Sequence, residues 1–138
     1  MQQVKLGIIG GGTVGSGVFE ALQRNGALMA SRLGVALDIS RVAVRDLKKN
    51  RGVKIPRELL TTDWREVVCD PDINLVAELI GGTTIAREVV LTALKLGKPV
   101  VTANKALLSA HGEELFAAAK KFGTNRSEER RVGKECRP

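Results

Sequence analysis

Three glycines near the N-terminus have the spacing best suited to ligand chemistry. Gly10, Gly12 and Gly15 stand in G-x-G-x-x-G register within VKLGIIGGGTVGSG, residues 4–17. At that spacing the first glycine allows a tight turn and the second lets backbone approach a pyrophosphate. The third lets the following helix pack closely on its strand. Thr13 and Val14 come next, where the N–H groups and dipole of a helix start would favour an anion. A glycine-rich turn without ligand is the simpler alternative. The apolar run before it and the helical pattern after it favour a dinucleotide.

A second group follows the apolar stretch LDISRVAV, where Arg45, Asp46, Lys48 and Lys49 cluster. At the tip of the second strand of a dinucleotide fold, a carboxylate accepts from the ribose 2′-hydroxyl of NAD, whereas an arginine accommodates the 2′-phosphate of NADP. Arg45 with Lys48 or Lys49 suits a phosphate, so NADP is favoured and NAD stays possible through Asp46. The alternative is a solvated basic loop.

Two more clusters end apolar runs: Gly81-Gly82-Thr83-Thr84 and Thr102-Ala103-Asn104-Lys105. The Gly81 and Gly82 backbone could approach a cofactor, and Thr83 or Thr84 could offer it a hydroxyl or cap the next helix. Lys105, at a strand's carboxyl end, could orient substrate or cofactor oxygens, or move a proton if burial lowered its pKa. The plainer reading is a surface lysine. His111, the only histidine, has no evident partner and reads as a cap or surface residue. Cys69 reads as a small packed residue, and Cys69 and Cys136 have no metal-ligand spacing and make no disulfide framework.

These clusters need strands and helices in alternation. Leu6, Ile8 and Ile9 predict a first buried strand. Val14, Val18, Phe19, Ala21 and Leu22 predict a helix that extends to Leu33, with a break open at Asn25-Gly26 and a stop at Gly34. Residues 37–44 predict the second strand and 52–60 an irregular connection. A short helix follows, capped by Thr62 or Asp63. Residues 73–80 predict the third strand and 100–102 the fourth. Helices are expected from Ile85 to Leu96, ended by Gly97, and over 106–122 with a break at His111-Gly112. The expectation is an α/β fold: a Rossmann-type, doubly wound parallel sheet of four strands with helices on both faces.

Composition agrees. The 138 residues suffice for one domain, and 43% hydrophobic with 27% charged is ordinary for a globular chain. Three Phe, one Trp and no Tyr leave an aliphatic core, as a parallel sheet requires. The formal net charge is +7, but the basic residues are dispersed with little aromatic interleaving, so nucleic acid is not an expected partner. No run approaches the roughly 20 apolar residues of a membrane span, and the early strand leaves no room for a signal peptide. A cytoplasmic location is expected.

LGIIGGGTVGSGV, VAVRD, ELIGGTT and VVTANKALLSAHGEELFAAAKK together resemble the N-terminal part of homoserine dehydrogenase, over about residues 4–125. The resemblance implies an NAD(P)-dependent oxidoreductase that interconverts L-homoserine and L-aspartate-4-semialdehyde, in the biosynthesis of threonine, methionine and isoleucine. It implies Gly10, Gly12, Thr13, Val14 and Gly15 at the cofactor pyrophosphate, and Arg45 with Lys48 at the 2′-phosphate. It implies Thr83, Thr102, Ala103, Asn104 and Lys105 along the nicotinamide side, joined by Gly82. Lys105 would be the motif lysine near cofactor and substrate, hence the candidate catalytic residue. Thr84-Ile85-Ala86 departs from the family, where a proline is common.

The family continues into another strand and a substrate and dimerisation domain that supplies substrate-binding carboxylates and a second catalytic lysine. The expected unit is therefore a nucleotide-binding domain over 1–125, its sheet incomplete on the C-terminal side, from a homo-oligomeric parent. By itself this length is expected to be catalytically inactive. The rival readings are a binding module without turnover and the cofactor domain of another amino-acid or semialdehyde dehydrogenase. Residues 126–138, RSEERRVGKECRP, are similar to the translation of a sequencing-adapter oligonucleotide and are expected to be a non-native or disordered tail.

Overall fold

β1 (Gln2–Ile9) pairs in parallel with β2 (Val35–Ala43) on one side and β4 (Leu75–Glu78) on the other. The structure, a computed structural model, describes residues 2–10, 13–45, 55–102 and 104–122. β3 (Leu60–Thr61) and β5 (Val100–Thr102) complete a parallel sheet of order β3-β2-β1-β4-β5. The chain moves outward from β1 in one direction and then in the other, so the strand order reverses between β1 and β4. Open α/β sheets bind ligands at that reversal, beyond the carboxyl ends of the strands.

Both faces of the sheet are covered, which is why its central strands read as continuous apolar runs. Leu6 and Ile8 pack with Ile39, Val42 and Phe19 of α1 (Thr13–Leu33). Ile9, Ala43 and Val76 face the other way, onto Val67 and Val68 of α2 (Trp64–Val68) and Val89 and Ala93 of α3 (Ile85–Lys95). α4 (Lys105–Phe122) packs on α3 through Leu107 and Leu115.

Several boundaries differ from the sequence expectation, each for a local reason. The sheet has five strands, not four. β3 is too short to show alternation and follows Pro56 and a 3-10 turn, Arg57–Leu59. It is held by β2 and by the Val44 N–H donating to the Thr61 carbonyl at 2.8 Å. β4 is four residues long because side chains close both ends. Asn74 Oδ1 accepts from the Lys5 N–H at 2.9 Å, and the Glu78 carboxylate accepts from the Ile80 N–H at 3.0 Å. Asp63, not Thr62, caps α2, accepting from the Arg65 N–H at 3.0 Å. α4 does kink at His111, whose φ of −133° is not helical.

α1 runs unbroken through Asn25-Gly26 and ends at Gly34. Good helix formers on both sides carry it across Gly26. A Cβ at Gly26 would meet nothing within 4 Å. Gly26→Ala is therefore expected to raise the unfolding free energy by about 0.5–1 kcal/mol. Urea unfolding should show a higher midpoint at unchanged m.

Lys98 is buried, and its Nζ donates to the carbonyls of Val68 at 2.6 Å and Asp70 at 2.5 Å. It closes the C-terminal end of α2, where a cation is favoured. No helix among the described residues is long and apolar enough to cross a membrane. The expected tail, 126–138, lies outside the described residues, as do Gly12, Asp46, Lys48, Lys49 and Ala103.

Candidate functional site

The strand–turn–helix crossing at β1 is fixed by two glycines. Gly10 has φ +113°, and its N–H donates to the Ala43 carbonyl at 2.8 Å. A Cβ on Gly10 would fall 2.9 Å from the Leu79 carbonyl group, so the turn lies directly against the end of β4. A Cβ on Gly15 would fall 1.7 Å from the Gly10 carbonyl oxygen. The first turn of α1 therefore crosses β1 at a distance only glycine permits. α1 starts at Thr13, so its unsatisfied N-terminal N–H groups open at the strand reversal, a suitable place for a phosphate. Thr13 and Val14 belong to this first turn.

On the β2 side, Arg45 lies two residues past the last strand residue, Ala43, and is exposed. The Gly10–Ala43 bond places it two residues from the glycine turn, where the adenosine ribose of a dinucleotide would lie.

On the β4 side, Gly81 and Gly82 have φ of +78° and +72°, and a Cβ on either would meet nothing within 4 Å. Conformation, not crowding, requires glycine there, and the space before them is open. Thr83 is half-buried. Thr84 takes the N-cap position of α3 with no side-chain capping bond. Thr102, at the end of β5, donates its hydroxyl to Glu78 Oε1 at 2.6 Å, and its Oγ1 accepts from the Asn104 N–H at 3.0 Å. Asn104 caps α4: its Oδ1 accepts from the Leu107 N–H at 3.0 Å, while its Nδ2 donates to the Gly82 carbonyl at 2.6 Å. Thr102 and Asn104 thus build the frame of the site.

Lys105 is the first residue of α4 and is exposed. A cation at a helix N-terminus opposes the helix dipole, so helix stability does not explain a lysine there. Its exposure suits the role of a cation for substrate or cofactor oxygens.

The sequence reading missed Glu78. It is fully buried at 0% exposure and joins the ends of β4 and β5. The signal was a carboxylate inside the apolar run INLVAELI; a strand covered on both faces carries one only where it is hydrogen-bonded.

Beside Thr83 an open cleft separates the start of α3 from the α4 kink, with Arg87, Leu108, His111 and Glu114 on its walls. Arg87 and Glu114 form a bidentate pair, Nε to Oε1 and Nη2 to Oε2, both 2.6 Å. Hydrogen bonding to Arg87, and then its charge, holds the Glu114 carboxyl below the usual carboxylate range; the same pair raises Arg87. A lowered carboxyl contributes stability above its unfolded value and loses it as pH falls through the folded one. Glu114→Gln is expected to lower the thermal midpoint slightly at pH 7, since exposed pairs contribute little. The difference from the parent chain should close on acidification through the lowered carboxylate range, and melts at a series of pH values check it. Among the described residues, no group of three His, Cys, Asp or Glu could hold a metal ion.

Residues 10–126 match the family described as homoserine dehydrogenase, NAD binding domain. The homoserine dehydrogenase of Pseudomonas aeruginosa is 46% identical over 123 residues, covering 89% of this chain and 28% of that protein. The Bacillus subtilis homoserine dehydrogenase is 42% identical, with the same two coverages of 89% and 28%. Among solved structures, a homoserine dehydrogenase from Thiobacillus denitrificans has a TM-score of 0.82 at 44% identity, over 89% of this chain and 28% of that one. The S. aureus homoserine dehydrogenase has a TM-score of 0.82 at 34% identity, over 89% of this chain and 31% of that one. The chain spans about 28% of the length of the curated relatives it matches.

Proposed function

This chain belongs to the family of homoserine dehydrogenase NAD-binding domains, and we propose that it is the dinucleotide-binding part of an enzyme interconverting L-homoserine and L-aspartate-4-semialdehyde. The observation that supports this best is the Gly10–Gly15 crossing at the strand reversal, a cradle that a Cβ would fill. The residues present fit a dinucleotide. Gly10, Gly12, Thr13, Val14 and Gly15 would hold the pyrophosphate against the α1 N-terminus. Arg45 with Lys48 would hold the 2′-phosphate of NADP. Gly82, Thr83, Thr102, Ala103, Asn104 and Lys105 would line the nicotinamide side.

Nicotinamide, when bound, supplies the hydride chemistry. The chain's own residues bind, orient and neutralise. The glycine turn fixes the pyrophosphate, and the frame of Glu78, Thr102 and Asn104 sets the far wall. Lys105 would place a positive charge beside the reacting oxygen, where it stabilises negative charge that develops during reaction. Residues 1–125 would form this unit. The substrate-binding groups and the contacts of a homo-oligomeric parent would lie outside this chain, which spans 28% of the Pseudomonas aeruginosa relative.

The test has two parts on one sample: calorimetric titration of the purified chain with NADP+, and an assay for L-homoserine-dependent reduction of NADP+. Binding without turnover is the expected result. A folded chain that binds no dinucleotide would defeat the proposal. Homoserine-dependent turnover would show that this length carries a complete active site.

A further inference from the structure

We infer that Glu78 is a positioning residue for the nicotinamide side of the crevice, an inference that rests on the dinucleotide reading above. Its carboxylate is fully buried, and among the described residues it forms no ion pair. An unpaired buried charge is costly unless hydrogen bonds satisfy it. Oε2 accepts from the Ile80 N–H at 3.0 Å and the Gly81 N–H at 3.4 Å, and Oε1 accepts from the Thr102 hydroxyl at 2.6 Å.

The chain of bonds then closes on itself. Thr102 Oγ1 accepts from the Asn104 N–H at 3.0 Å, and Asn104 Nδ2 returns to the Gly82 carbonyl at 2.6 Å. One carboxylate thereby sets both the Gly81-Gly82 loop and the turn that leads into Lys105. Gly81 and Gly82 are exposed and adopt positive φ, so apolar packing does not hold them in place. An apolar side chain at position 78 would fill the same volume but leave the Ile80 and Gly81 N–H groups without this acceptor.

In a fold of this order the adenosine lies toward β2 and the nicotinamide toward β4. Loss of the Glu78 bonds should therefore affect one half of the ligand only. The full 138-residue chain and its Glu78→Gln and Thr102→Val variants are titrated calorimetrically with NADPH and with 2′-phospho-ADP-ribose, which lacks the nicotinamide. NADH and ADP-ribose replace them if the parent chain binds that pair more tightly.

Glu78→Gln is expected to weaken the dinucleotide about tenfold, because the weakened network lowers the fraction of chains that hold the Gly81-Gly82 loop in its binding arrangement. The nicotinamide-free ligand should bind within about twofold of its original affinity. Thr102→Val, which removes one arm of the network, should weaken the dinucleotide by a smaller factor in the same selective way. Unchanged dinucleotide affinity in Glu78→Gln would overturn the inference. Equal loss of both ligands would also overturn it, because a merely structural role predicts that. If the folded parent chain binds neither ligand, the dinucleotide reading itself has failed and this inference falls with it.

Discussion

Gly15→Ala is expected to lower the unfolding free energy by about 3 kcal/mol, the upper part of the range for overpacking, and the thermal midpoint by about 10 °C. The added Cβ would lie 1.7 Å from the Gly10 carbonyl oxygen and 2.8 Å from its carbon. Both atoms are backbone, so no side chain can rotate away to make room. α1 must instead retreat from β1, and it carries Val18, Phe19 and Leu22 in the core cluster with Leu6 and Ile8. The same retreat would draw the α1 N-terminus away from the strand reversal, so dinucleotide binding should be lost beyond the stability cost. Gly17→Ala, on the same helix with nothing within 4 Å of its Cβ, is the matched control and, like Gly26→Ala, should stabilise the chain by about 0.5–1 kcal/mol. A Gly15→Ala chain that melted and bound like the parent would mean that the crossing is not as tight as described.

Arg45→Ala should weaken NADPH about tenfold while changing NADH affinity little. A charge-assisted bond to a phosphate contributes about 1.5–3 kcal/mol, and Arg45 is exposed, which places the effect at the low end through screening. The selectivity carries the argument. The two dinucleotides differ only in the 2′-phosphate, so a general loss of fold would weaken both. Nicotinamide fluorescence gives both affinities, and the NADPH difference should shrink as salt is raised. If NADH binds the parent chain more tightly and Arg45→Ala changes nothing, the ribose is held through its 2′-hydroxyl, with Asp46 the candidate acceptor.

Most of the sheet was legible because a buried parallel strand is encoded in successive apolar residues: Leu6, Ile8 and Ile9 in β1, Val76 and Ala77 in β4. The crossing was legible because steric demand leaves only glycine at positions 10 and 15. What the sequence hid depends on long-range partners. β3 has two residues and exists only because β2 offers it a free edge. β4 stops short of the Gly81-Gly82 pair that the sequence shows, where the Glu78 side chain takes the Ile80 N–H out of the ladder. Thr102 and Asn104 were legible as a motif, but their bonds to Glu78 and Gly82 join residues 24 and 22 positions apart, a separation that periodicity does not report. The sequence left a break open at Asn25-Gly26, and the structure closes it: a helix that is already propagating crosses one glycine at about 1 kcal/mol.

The decisive measurement is an amide 1H–15N spectrum of the uniformly labelled chain, recorded as NADPH is added. The crevice described above predicts saturable shifts clustered at Gly10, Thr13, Val14 and Gly15, then at Gly81 and Gly82, with α2 and the far end of α4 undisturbed. A well-dispersed spectrum that does not change, or shifts confined to the cleft between α3 and α4, would contradict the placement of the dinucleotide at the end of β1.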